Sequence, residues 1–256
     1  MLFYPMLGIS RDRSGMKDSH DRAIMIVGVG GLGAPAAIAL AQGGVASLML
    51  VDPDPVELSN LPRQVIYNEA EIGAPKVEAA SRHLQVIAPA IRIETHQCFF
   101  EASNAAELVA RASFIIDATD NPETKFLIND TCVASGTPYV YGGAIGMTGQ
   151  AMTIIPGDTA CLRCLFEEPP GEDDAASCRD AGIVGPVVGV IGEVQAAEAL
   201  RWSRDQMPAL AGTMLTYDGR MGRLRLTKIT VRTDCRCTSK VGRDDLAVPS
   251  AEIRSH

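Results

Sequence analysis

The stretch Ala23-Ile-Met-Ile-Val-Gly28-Val-Gly30-Gly31-Leu-Gly33 decides the fold. Five apolar residues read as a buried strand, and the glycines that follow open an Ala-rich segment with helical character over Gly31–Gln42. A GxGxxG run has physical content in that context. Its glycines permit a tight turn and let backbone N–H groups approach a phosphate, which then rests on the positive end of the helix. A glycine-rich strand–helix turn with no ligand is the plainer alternative. Asp52 argues for a ligand, because it ends the next apolar run nineteen residues after Gly33, where a carboxylate can accept hydrogen bonds from ribose hydroxyls. Residues 23–51 carry no charge and are long enough to span a bilayer, but six glycines and Pro35 divide them into strand, helix and strand.

The alternation continues outward from this unit. Ile91–His96, Ser113–Asp117 and Pro138–Tyr141 read as strands, and Ala74–Ile87, Ala102–Ala110 and Pro122–Ser135 as helices. The expected class is α/β, a Rossmann-like doubly wound and mainly parallel sheet. After Thr148 the polarity becomes mixed. Gln150–Ile155, Thr213–Asp218 and Arg223–Arg232 predict an antiparallel C-terminal extension. Pro186 opens an apolar helix with Val187, Val190, Ile191, Val194, Ala197 and Leu200 as its expected buried stripe. Glu167–Ser177 reads as an exposed acidic loop, and the tail from Gly242 as frayed. We read one domain over 1–256, with a nucleotide-binding part over 21–145 and a carrier-binding, cysteine-containing part over 146–240.

The 256 residues carry 23 basic and 31 acidic side chains, a net charge of −8. That balance disfavours a broad electrostatic grip on nucleic acid or anionic lipid, so neither is an expected partner. The N-terminus has no basic start before its apolar stretch, which argues against a secretory signal. Seven cysteines, an odd number, suggest a reducing compartment and a cytoplasmic location.

The glycine turn does not separate a dinucleotide from ATP, but the next segment does. Asp52-Pro-Asp54 leads to Ser59-Asn60-Leu61-Pro62-Arg63, and Lys76 follows Gly73-Ala-Pro75. Fixed cations of this kind suit adenylyl transfer, in which a carboxylate attacks the α-phosphate of ATP and pyrophosphate leaves. Asn60 can hydrogen-bond a phosphate or the attacking carboxylate. Taken singly, Arg63 and Lys76 read more readily as solvated surface residues; taken together they favour the phosphate role. Asp117-Ala-Thr119-Asp120-Asn121 ends a buried strand beside the crevice where open α/β sheets bind ligands. Asp120 suits Mg²⁺; helix capping is the alternative for Asp117 and Asn121, nearly as good a reading as the site role for Asn121.

Taken together, GVGGLG from Gly28, VDPDPVELSNLPRQ from Val51, GAPKVEAA from Gly73 and DATDN from Asp117 resemble the ThiF/MoeB/HesA adenylyltransferases, bacterial relatives of ubiquitin-activating enzymes. The run from Ser177 to Gly192, SCRDAGIVGPVVGVIG, looks especially like ThiF. The resemblance spans about Ala23 to Cys237. It implies a homodimer that binds ATP and Mg²⁺ and adenylates the Gly-Gly carboxylate of a small ubiquitin-fold sulfur carrier, ThiS-like or MoaD-like. Thiocarboxylate formation for thiamine or molybdopterin synthesis follows, with sulfur from a separate donor. Gly31 carries over for ATP phosphate and Asp52 for the ribose, with Gly28, Gly30, Gly33 and Asp54 in the same nucleotide-binding set. Asn60, Arg63 and Lys76 serve the phosphates, and Asp120 with Asn121 serves magnesium and nucleotide. Two other readings stay open: a relative acting on tRNA or on a peptide, and a nucleotide-binding scaffold without catalysis.

The family's N-terminal Arg-Tyr-x-Arg-Gln segment is replaced by Phe3-Tyr4-Pro5-Met6-Leu7, which leaves Arg11 and Arg13 as substitutes for an arginine given to the partner subunit. Cys161-Leu-Arg-Cys164 and Cys235-Arg-Cys237 can close one tetrahedral Zn²⁺ site. The family has CxxC at both ends, and the CxC here is expected to strain ligation by both its sulfurs. Three-cysteine ligation or free thiols are the alternatives. Cys178, beside Arg179 and before a helix, is the candidate for a covalent bond to the carrier. Cys98 and Cys132 read as core, and no histidine is assigned a role.

Overall fold

The computed structural model describes residues 22–169 and 184–238. Arg11, Arg13, Cys178, most of the acidic loop and the C-terminal tail lie outside the described residues. Within them, β1 (Ala23–Val27), β2 (Ser47–Val51), β3 (Arg92–His96), β4 (Ala112–Asp117) and β5 (Tyr139–Ile145) make the parallel part of one sheet. β6 (Thr148–Ile154), β7 (Thr213–Asp218) and β8 (Arg223–Lys228) continue it antiparallel. The spatial order is β3-β2-β1-β4-β5-β6-β7-β8. The order turns back at β1, so a crevice opens between the carboxyl ends of β1 and β4.

Side-chain alternation along the strands sorts the core into two layers. Ile24, Ile26, Leu48, Leu50, Phe114 and Ile116 face α1 (Gly33–Gln42), α2 (Lys76–Ile87) and the long helix Gly185–Ser203. Met25, Met49, Ile115, Tyr139 and Met152 face α3 (Ala105–Ala110), α4 (Pro122–Ser135) and the single turn α5 (Leu162–Leu165). We call the long helix α6. No described helix is long and apolar enough to cross a membrane.

Three sequence expectations are corrected. The first helix starts at Gly33 rather than Gly31, because Gly30 to Leu32 form a turn. The fifth strand runs on past Tyr141 to Ile145 and returns as β6 through a tight turn at Gly146-Met147. On α6, Val187 and Ile191 are buried as expected, but Ala197 is exposed, and Val188, Gln195 and Glu198 are buried instead. The buried face follows hydrogen bonds that a purely apolar stripe does not anticipate. Gln195 Nε2 donates to the carbonyls of Asp117 (2.7 Å) and Val140 (3.3 Å). Glu198 accepts from Thr153 Oγ1 (2.7 Å) and from the backbone N–H groups of Ala209 (2.9 Å) and Leu210 (2.7 Å). Small neighbours make this possible: a Cβ on Gly192 would lie 2.4 Å from the Leu32 carbonyl.

Removing the Glu198 acceptor orphans two buried donors, Thr153 Oγ1 and the Leu210 N–H, and leaves the Ala209 N–H without its partner. Glu198→Ala is therefore expected to destabilise the fold by about 2–4 kcal/mol, while exposed Glu193→Ala on the same helix costs under about 0.5 kcal/mol. Urea titration checks this as a shifted midpoint with an unchanged slope.

Candidate active site and cysteine cluster

The turn after β1 needs its glycines for two steric reasons. Gly28 has φ +88°, and a Cβ there would press to 2.8 Å of the Ala118 carbonyl. At Gly33 a Cβ would lie 1.9 Å from the Gly28 carbonyl, so α1 starts flush against the strand end. The N–H groups of Gly30, Gly31 and Leu32 make no hydrogen bond among the described residues. They form an anion-ready cradle at the amino end of a ten-residue helix.

Asp52 ties this turn to the second strand. Its Oδ2 accepts from the N–H of Val29 (2.7 Å) and its Oδ1 from that of Asp54 (2.9 Å). Burial raises its carboxyl above the ordinary value, against the pull of Lys76 and of those two N–H groups. Lys76 Nζ lies 3.9 Å from Asp52 and 2.8 Å from Asp54. Tyr67 Oη donates to the carbonyls of Val29 (2.8 Å) and Lys76 (3.3 Å) and locks the start of α2 to the glycine turn. The glycines, Asp52, Asp54 and Lys76 thus meet in one contiguous site.

Asn60 and Arg63 sit on the crossover above it. Asn60 is buried, its Oδ1 accepting from the Glu57 N–H (3.2 Å) and its Nδ2 donating to Ser59 Oγ (3.3 Å). Arg63 Nη1 donates to the Ser59 carbonyl (2.9 Å). Gln64, between Arg63 and the glycine turn, lies over Gly30. On the other side of the turn, Asp117 is 0% exposed at the end of β4. Its Oδ1 accepts from the N–H (3.1 Å) and Oγ1 (2.7 Å) of Thr119 and from Lys125 Nζ (3.1 Å). Lys125 also donates to the Gly142 carbonyl (2.5 Å). These bonds shape the loop that carries exposed Asp120 to the crevice mouth. Asn121 caps α4, its Oδ1 accepting from the Thr124 N–H (2.8 Å).

Sequence reasoning missed Gln64, Tyr67, Lys125 and Gln195. Gln195 and Glu198 leave a faint signal, two polar residues three apart among small ones. Nothing local marks Lys125, whose partners come from two different strands.

The four cysteines of the paired motifs converge in the other layer of the core, beside α4 and α5. Their sulfurs all lie within 4.8 Å of one another, with Cys161–Cys235 at 3.6 Å and Cys164–Cys237 at 3.5 Å. These separations are far too long for a disulfide, and they match the S···S edge of about 3.8 Å implied by a tetrahedron with about 2.3 Å metal–sulfur bonds. Both sulfurs of the CxC pair reach the cluster, and a 3₁₀ turn over Arg236–Thr238 carries Cys237. Burial pushes the Cys161 thiol up to about 12. Burial also raises Cys164, but hydrogen bonds from the backbone of Arg232 and Cys161 outweigh it and leave that thiol below its ordinary value. Asn129 Oδ1 accepts from the Leu162 N–H (2.8 Å), and Asp130 pairs with Arg163 (2.7 Å), so α4 anchors the CLRC turn. The other two described cysteines differ. Cys132 is buried, while Cys98 is only half-buried.

Comparison with known proteins gives the family. The ThiF family model matches residues 8–238. The chain is 38% identical over 237 residues to the "Adenylyltransferase and sulfurtransferase MOCS3" of Arabidopsis thaliana, covering 93% of this chain and 50% of that one. It is 37% identical over 223 residues to the "SAMP-activating enzyme E1" of Haloferax volcanii, covering 87% and 82%. The chain spans about half the length of the MOCS3 relatives it matches. Among solved structures, Escherichia coli MccB with ATP superposes with a TM-score of 0.75 at 20% identity, covering 88% of this chain and 68% of that one, a likeness of fold alone. With a glycine turn after β1, an acid at the end of β2 and a family model that spans residues 8–238, the chain belongs to the ThiF family.

Proposed function

We propose that this protein adenylates the C-terminal carboxylate of a small ubiquitin-fold sulfur carrier. The observation that carries the reading is the open N–H cradle of Gly30 to Leu32, closed on one side by Asp52, Asp54 and Lys76. Such a cradle fits the phosphates of ATP. In the reaction, a carboxylate oxygen attacks the α-phosphorus, the bond to the bridging oxygen breaks, and pyrophosphate leaves with the electron pair. Arg63 and Lys76 balance charge gathering on the phosphates, Asn60 orients a phosphate or the carboxylate, and Asp52 serves the ribose side. Asp120, with Asn121 beside it, would hold Mg²⁺, which supplies further charge neutralisation. Names of relatives support the substrate class, since one is a SAMP-activating E1 and others pair adenylyl with sulfur transfer.

The same reading places the carrier on β8, works through a homodimer and leaves sulfur donation to a separate protein. Every residue of β8 is exposed, with Leu224 and Leu226 at 60% and 62% and Met221 at 60%. Arg220, Arg223, Arg225 and Lys228 surround them in a chain of net charge −8. An apolar patch rimmed by cations suits a partner with an apolar patch rimmed by acids. We assign the four-cysteine cluster to structural Zn²⁺, on the sulfur spacing alone. Cys178 is kept as the candidate for a covalent bond to the carrier.

A peptide substrate is the second reading, favoured by the fold likeness to MccB solved with MccA peptides. ATP–pyrophosphate exchange with Gly-Gly-ended carriers separates the two, and absence of exchange with every such carrier would sink the first. Asp120→Ala is expected to keep the wild-type melt, because the side chain is exposed, and to lose more than about tenfold in exchange rate, roughly 1.4 kcal/mol of barrier. Leu226→Glu should raise the KM for the carrier while leaving that for ATP unchanged. Cys164→Ala should lose bound zinc by elemental analysis and melt at lower temperature; full zinc retention would reject the metal assignment.

A further inference from the structure

Gln64 is 4% exposed, and its Oε1 has no hydrogen-bond partner among the described residues. Such atoms are rare, because burying an amide without a bond is unfavourable. The side chain has not been left loose by its backbone. The Gln64 N–H donates to the Asn60 carbonyl (3.0 Å), and the Gln64 carbonyl accepts from the Tyr67 N–H (3.2 Å). That turn fixes where the carboxamide goes, and it goes to the phosphate cradle: a Cβ placed on Gly30 would meet Gln64 Nε2 at 3.4 Å. The three unengaged N–H groups of the cradle begin at that same residue. A packing role alone would be served by an apolar side chain of the same length, with no amide to desolvate.

We propose that Gln64 is a positioning residue for the nucleotide, its carboxamide donating to a phosphate oxygen lodged over Gly30. Its oxygen accepts from a donor that arrives with the substrates. This rests on the adenylation reading above and extends it to a residue outside the set of cations and carboxylates. It also gives the cradle a neutral donor over Gly30, one that grips phosphate without adding charge.

The test uses the full chain, wild type and Gln64→Met, which keeps the length and removes the amide. Binding of ATP with Mg²⁺ and of adenosine is measured by competition against a fluorescent ATP analogue. Gln64→Met is expected to weaken ATP by more than about threefold, the order of one neutral hydrogen bond, and to leave adenosine unchanged. Weakening of ATP below that threshold overturns the proposal. So does equal weakening of both ligands, which marks a distorted site rather than a lost phosphate contact. If Gln64→Met does not fold, Gln64→Glu decides by the same ratio, since a carboxylate there must repel phosphate more than adenosine. A wild-type protein that binds no ATP would instead overturn the adenylation reading itself.

Discussion

The Asp52 carboxylate is the constraint on which the rest of the site depends. It sits at the end of β2 and accepts one N–H from the glycine turn and one from its own crossover. Three chain segments thereby share one buried anion: the end of β1, the end of β2 and, through Lys76, the start of α2. Burial works against the charge, so the arrangement holds only because donors converge on it from each segment. Tyr67 repeats the logic with a neutral group, joining the turn to α2 by a hydroxyl. The site is tied together by hydrogen bonds within the protein itself, which reduces what binding must order.

A second buried anion organises the other half of the crevice. Asp117 bends the loop after β4 through Thr119 and takes Lys125 from α4, while Gln195 of α6 holds its carbonyl. Helices from both layers therefore reach the same strand end. The cysteine cluster shares α4 with this arrangement but lies toward the helix's other end, on Asn129 and Asp130. The cysteine cluster and the crevice are thus separated in space yet anchored on one helix.

Most of the parallel sheet was legible in the sequence because each strand is a short apolar run bounded by turn residues, and Ala23–Val27 and Ser47–Val51 fall where the runs do. The cysteine pairing was legible from spacing, whereas the 3₁₀ turn that carries Cys237 was not, since such a turn leaves no periodic signal over three residues. The buried face of α6 was misread in part because Gln195 and Glu198 point inward to meet strand carbonyls and loop N–H groups. Hydrophobic periodicity cannot see partners that belong to other elements. The same holds for Gln64 and Lys125, whose surroundings are assembled from segments far apart in the chain.

The cysteine cluster has a consequence for the strand farthest from the crevice. An edge strand exposed on both faces is the part of a sheet that ordinarily frays first and recruits foreign strands. β8 is held at one end by its hairpin to β7 and, a few residues past the other, by Cys235 and Cys237 packed against Cys161 and Cys164. The Arg232 N–H also donates to Cys164 Sγ (3.5 Å). Cys161 and Cys235 stand 74 positions apart, so their contact closes a ring of chain that contains α6, β7 and β8. Peeling β8 from the sheet then means opening the ring as well. The cluster acts as a clasp on the sheet margin, and a chain in which the four sulfurs no longer met would present that margin to its neighbours as a pairing template.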